Sequence, residues 1–171
     1  MILTGPEIAA CVRRGEISIE PFEHDQLNPN SYNYRLGREI KIADADILDA
    51  RHPAKWSRLD ITTEGYVLNP RRVYLAGTVE IIGSTSLVTS LIGRSSLGRL
   101  GLFTQVTADL GHHGAIHRWT LELTVVQPLR VYAGMRLGQV SFWRSSGDIT
   151  EYDGNYGLGM APMPFEPASL T

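Results

Sequence analysis

From position 66 onward the chain breaks into short runs of apolar and β-branched residues, each closed by a turn-forming residue. Stretches 66–68, 72–76, 79–82 and 87–92 form a first set, and 102–108, 119–126, 129–132 and 139–143 a second. Short alternating strands at this spacing are typical of all-β folds. Seventeen glycines and nine prolines in 171 residues supply the many turns that such a fold needs. Ala133-Gly134 and Gln127-Pro128 stand between successive runs and are read as two of them. The length fits one domain spanning 1–171, large enough to bury a core.

The N-terminal part is read differently. Thr4-Gly5-Pro6-Glu7 has the form of a capping box, with Thr4 as N-cap and Glu7 reaching back to it. Ile8, Cys11 and Val12 then make one apolar stripe and Gly15 ends the helix. Stretch 17–19 is a short strand, 21–30 a polar loop, and 31–36 a strand with Tyr32, Tyr34 and Leu36 on one face. Residues 41–56 show no clean period. The final stretch, 145–171, is rich in Gly, Pro and Met and is read as an arm over a neighbouring surface, or else a frayed tail.

Composition narrows the function. A formal net charge of −2 argues against non-specific binding of DNA or RNA, which needs a basic face. One cysteine, Cys11, excludes an internal disulfide and a thiolate metal cluster, and its helical setting points to buried packing. There is no run of eighteen apolar residues and no basic leader before an apolar core, so a cytoplasmic protein without a membrane span is expected.

Two stretches carry chemistry. Gly93-Arg94-Ser95-Ser96-Leu97-Gly98-Arg99-Leu100-Gly101-Leu102 places two arginines and two hydroxyls around a short helix expected over 95–101. A helix start leaves N–H groups unpaired and favours anions, Ser95 or Ser96 can cap it, and Arg99 lies one turn on. A phosphate seat and a capped surface turn with solvated arginines explain this pattern equally well. In Trp119-Thr120-Leu121-Glu122-Leu123-Thr124-Val125, period two separates Leu121, Leu123 and Val125 from Thr120, Glu122 and Thr124. Taken alone, Glu122 is a solvated residue on the polar face.

Four segments in order resemble the signatures of the dCTP deaminases, members of the trimeric dUTPase-like superfamily. Asn28-Pro29-Asn30-Ser31-Tyr32-Asn33-Tyr34-Arg35-Leu36-Gly37 is similar to their NPASxDxRLG run, and the segment from Arg94 to Leu102 to RSSLARLGL. Thr120-Leu121-Glu122-Leu123 resembles their TLE strand and Gly134-Met135-Arg136-Leu137-Gly138-Gln139 their PGMxIGQ turn. The resemblance implies a mainly β, distorted jelly-roll or β-clip fold of the dUTPase type with short helices. It implies a homotrimer with active sites between subunits, a nucleotide substrate with Mg²⁺ on its phosphates, and no zinc. The implied reaction is hydrolytic deamination of a cytosine deoxynucleotide, dCTP by default, to dUTP and ammonia. Within it Glu122 is the general base and acid, acting with Ser95 and Arg99. Arg94, Ser95, Ser96 and Arg99 bind substrate, the backbone around Val106, Thr107 and Ala108 reads the pyrimidine, and Tyr156 belongs to the closing arm, 145–171. Zinc-dependent nucleobase deaminases use an H-x-E…P-C-x-x-C pattern, which one cysteine cannot supply.

This chain departs from that pattern in two places. His112 stands where the family has the aspartate of its I-D-P-G loop, with Asp109 a nearby acid in another register. In the arm, Asn155 replaces a lysine and Gly159 a glutamine of the family's K-Y-x-x-Q-type run. The first departure weakens a dUTPase-like or bifunctional, dUMP-forming activity. The second leaves a non-catalytic nucleotide-binding relative as a further alternative. His112, His113 and His117 are read as surface or pocket-rim residues, His112 also as a candidate ligand contact, and Trp119 and Trp143 as packing residues.

Overall fold

Along the chain of the computed structural model, which describes residues 1–104, 109–153 and 159–164, a helix precedes a series of strands. Helix α1 (Gly5–Arg14) begins with Pro6 in its first turn and ends at Gly15, whose φ of 75° is the left-handed cap that glycine adopts without strain. Ile8 and Cys11 are fully buried. The capping box does not form, because the Thr4 side chain makes no capping bond and Glu7 accepts from the Arg14 guanidinium at 2.9 Å. A charged donor outcompetes a backbone N–H for that carboxylate.

The strands are β1 (Ser18–Glu20), β2 (Leu27–Asn28), β3 (Ser31–Ala43), β4 (Trp56–Asp60), β5 (Tyr66–Leu68), β6 (Tyr74–Gly83) and β7 (Val88–Gly93). After α2 (Ser95–Gly98) come β8 (Leu102–Thr104), β9 (Leu110–Gly111), β10 (His117–Val125), β11 (Leu129–Val131) and β12 (Arg136–Trp143). Among the described residues ten of these strands share one antiparallel sheet, in the order β8-β10-β6-β3-β12-β7-β9 with β1, β2 and β4 added at the side, and β11 pairs with β5. Strand β3 ties the sheet together. Its first half pairs with β12 and β2, and its second half with β6 and β4.

The fold class expected from the sequence is therefore present, while several boundaries differ for identifiable reasons. The expected loop 21–30 contains a 3-10 turn at His24–Gln26 and β2, whose polar residues are held by hairpin pairing to β3. The expected break at Gly77 is absent: β10 and β3 pair with Gly77 and Thr78 from either side, so one long central strand runs through. Strand β3 continues to Ala43 because Ile40 and Ile42 keep the buried alternation, which Arg38, Glu39 and Lys41 obscure. Helix α2 is a single turn, with Arg94 at the N-cap in extended conformation and no side-chain capping bond. Ser95 and Ser96 thus lie inside the first turn and neither caps it.

Tyr32, Tyr34, Leu36, Ile40, Leu91, Leu121, Leu123, Val140 and Phe142 are buried in one cluster. The buried tyrosine hydroxyls are satisfied: Tyr34 donates to the Ile92 carbonyl at 3.0 Å, and Tyr32 accepts from the Glu23 amide at 2.9 Å. Gly138 has to be glycine, since a Cβ there would collide with the Tyr34 hydroxyl. Beneath this layer Glu80, fully buried on β6, accepts from the Arg35 side chain at 2.6 Å and from its amide at 2.9 Å. Arg35 also reaches Glu23 at 2.7 Å, so β3, β6 and the turn before β2 are joined by one ionic group.

Candidate active site

The first part of β10 forms one wall of a cavity of about 430 Å³. Trp56, Leu75, Leu110 and Trp119 supply apolar surface, and His112, His117, Arg118, Thr120 and Glu122 the polar groups. Strand alternation explains this placement. Leu121, Leu123 and Val125 are buried on the core face, while Thr120 and Glu122 project from the other. The Trp119 ring is fixed by donation from its Nε1 to the Ile82 carbonyl at 2.9 Å, and it lies so close to Gly111 that a Cβ there would overlap it. Trp119 is thus packed, as expected, and is also a wall of the cavity.

The described arm residues close one side. Tyr152, Gly159, Met163 and Pro164 line the cavity. They are held by backbone bonds to the same chain: the Tyr152 amide donates to His113 O at 2.9 Å and the Met163 amide to Thr120 Oγ1 at 3.0 Å. Lys41 donates to Pro162 O at 2.7 Å.

The three histidines point three ways. His112 is exposed and stacks on Tyr152, with ring centroids 5.2 Å apart. His113 is buried, with Nε2 2.9 Å from Ser145 Oγ, and is a structural residue of the arm contact where a surface or rim position was expected. His117 is buried against Trp119, its Nδ1 3.0 Å from Arg118 O, and burial holds its pKa below the usual histidine value. Among the described residues no three His, Cys, Asp or Glu side chains converge in a way that could hold a metal ion.

The other sequence-derived candidates lie elsewhere. Glu122 is exposed at the cavity mouth. Arg94 is half-buried, and Ser95, Ser96 and Arg99 are exposed around α2; none of the four lines the cavity. Gly101, just after α2, accepts from the Val126 amide at 3.0 Å, four positions past Glu122 and hence about 13 Å further along at ~3.3 Å per residue. Within one chain the carboxylate and the arginine–serine turn are therefore presented at separate places. Asp109 is exposed and accepts from Ser90 Oγ at 3.0 Å. Val106, Thr107, Ala108 and Tyr156 lie outside the described residues.

Sequence reading missed Arg118, Trp56 and Tyr152 as cavity residues. Arg118 shares the parity of Thr120 and Glu122, which was a usable signal. Trp56 and Tyr152 come from segments without a period and carried none.

A family model described as dCTP deaminase-like matches residues 2–145. The chain belongs to that family. Its relatives include the "dCTP deaminase, dUMP-forming" of Clostridium acetobutylicum, 43% identical over 152 residues, covering 89% of this chain and 87% of the relative. The "dCTP deaminase" of Rhodopirellula baltica is 43% identical over 151 residues, 88% of this chain and 76% of the relative. The "dCTP deaminase, dUMP-forming" of Leptospira biflexa is 42% identical over 166 residues, 96% and 94% of the two chains. The crystal structure of 2'-deoxycytidine 5'-triphosphate deaminase from Agrobacterium tumefaciens shares the fold, with a TM-score of 0.67 at 24% identity. That match covers 84% of this chain and 48% of the other, so the chain spans about half its length.

Proposed function

We propose that this chain deaminates dCTP by water attack at cytosine C4, with Glu122 as the proton-transferring group. The observation that carries the reading is the position of Glu122, beside Thr120 at the mouth of an apolar cavity, in a chain of the dCTP deaminase-like family. Glu122 takes a proton from water as its oxygen bonds to C4, then delivers a proton to the departing amino group. The C4–N bond breaks, ammonia leaves and a uracil ring remains.

A carboxylate open to bulk water on one side serves this role poorly, and the separation of Glu122 from α2 within one chain suggests what covers it. In a homotrimer with sites between subunits, the α2 turn of one protomer would meet the cavity of the next. Arg99 and Ser95 would then orient the water and the ring, Arg94 and Ser96 would bind substrate, and 145–171 would close the site. His112 would stand at the sugar, and Asp109, Val106, Thr107, Ala108 and Tyr156 complete the carried-over set. Mg²⁺ would arrive on the triphosphate, which needs no protein cage. Chemistry without zinc is supported by the single cysteine and by the scattered histidines.

A second product is favoured by the names of the Clostridium and Leptospira relatives, which are dUMP-forming. Against it stands His112 at the position of an acid. Phosphorus NMR separates the two, because pyrophosphate appears only if the phosphate chain is cut. Replacing Glu122 by Gln is expected to reduce ammonia release from dCTP by at least about a hundredfold, the scale of general acid–base catalysis, without altering assembly. Full ammonia release by that variant would refute the assignment.

A further inference from the structure

The cavity beside Glu122 adjoins a second one of about 410 Å³, lined among others by Arg38, Arg58, Asp60, Thr78, Arg118 and Met160. Arg118 lines both. Its backbone is clamped, the amide donating to Gly159 O at 3.2 Å and the carbonyl accepting from His117. Its guanidinium makes no ion pair among the described residues, whereas the two carboxylates of the groove are already engaged. Asp60 lies 3.7 Å from Arg38 and 3.8 Å from Arg58, and Glu39 3.2 Å from Arg58.

Charge on the arm sharpens the point. From Ser145 to Thr171 there is no Lys, Arg or His, but there are four carboxylates: Asp148, Glu151, Asp153 and Glu166. Described arm residues border both cavities, and three of these carboxylates, Asp148, Glu151 and Asp153, lie among the described residues, so a phosphate placed there is repelled by them and favours a cation on the body of the chain. We propose that Arg118 is that cation, a positioning residue that grips the phosphate chain of a cytosine nucleotide lying between the two cavities. A planar guanidinium matches a phosphate with two parallel hydrogen bonds, which a point charge cannot do. This deepens the deaminase reading and rests on it for the identity of the nucleotide.

The test compares the wild-type protein with R118A and R118K, using ammonia release from dCTP and from unphosphorylated deoxycytidine, and calorimetric binding of inorganic tripolyphosphate. In R118A the KM for dCTP is expected to rise roughly ten- to a hundredfold, as for loss of one charge-assisted hydrogen-bonding group, with kcat nearly unchanged. Tripolyphosphate affinity should fall in the same proportion, deoxycytidine turnover should not change, and R118K should recover part of the loss. Unchanged dCTP KM and tripolyphosphate affinity in R118A, an equal loss with deoxycytidine, or no tripolyphosphate binding by wild type would each overturn the proposal. If R118A does not fold, R118Q is read in its place, keeping a polar side chain without the charge. Absence of ammonia from wild type with any cytosine nucleotide sinks the deaminase reading alone, and the tripolyphosphate titration still decides Arg118.

Discussion

His117 shows how burial converts a common side chain into a fixed one. It lies against Trp119 on the cavity wall, and desolvation lowers its pKa below 6.5 while its bond to Arg118 O works weakly the other way. The unfolded chain therefore binds a proton at a pH where the folded chain does not. The resulting stabilisation is complete above about pH 6.5 and is lost as pH falls through that value towards the folded pKa. Thermal midpoints recorded between pH 7.5 and 5 should fall for wild type, and less for His117→Gln. Cys11 is the second case. Burial, chiefly, pushes its thiol up to about 11. At pH 8 it should resist alkylation in the native protein and react fully in guanidinium, as read by mass spectrometry.

Among the elements, β6 joins β1, β3 and β10. Its buried Glu80 neutralises Arg35 on β3, whose side chain is 17% exposed. Removing Glu80 leaves Arg35 with Glu23 as its one remaining carboxylate among the described residues and its amide without that acceptor, at a cost of up to about 3 kcal/mol. Glu80→Ala should accordingly lower the urea midpoint sharply, while Glu80→Gln, which keeps a hydrogen-bond acceptor, should lose less. Leu121 tests the opposite face of β10. Fully buried beside Glu122, its change to Ala should cost about 2–5 kcal/mol in stability and leave ammonia release per folded molecule nearly unaltered.

For the molecule as a whole, the apolar side chains left in water are informative. Leu100, Phe103 and Val126 are 47%, 45% and 68% exposed on the segments around α2 and β8, beside the arginines that lie apart from Glu122. Sedimentation should give a mass of three chains. If the site is shared between subunits as proposed, Phe103→Glu should dissociate the assembly and abolish ammonia release together. Monomeric wild type with full activity would exclude a site shared between subunits.

Glu122 became a candidate only through the family resemblance, whereas local rules were enough to read the strand series, the Gly15 stop of α1 and the buried face of β10. Each depends on spacing of two or 3.6 residues, or on a backbone angle that only glycine adopts freely, and those are properties of neighbours in the chain. Pairing partners were not legible in this way. The continuation of β3 past Leu36, the passage of β6 through Gly77, the Arg35–Glu80 bond and the gathering of Trp56, Arg118 and Tyr152 around one cavity all join residues far apart in sequence. Such contacts depend on which strands meet and in what register, and a one-dimensional pattern carries no information about distance across a sheet.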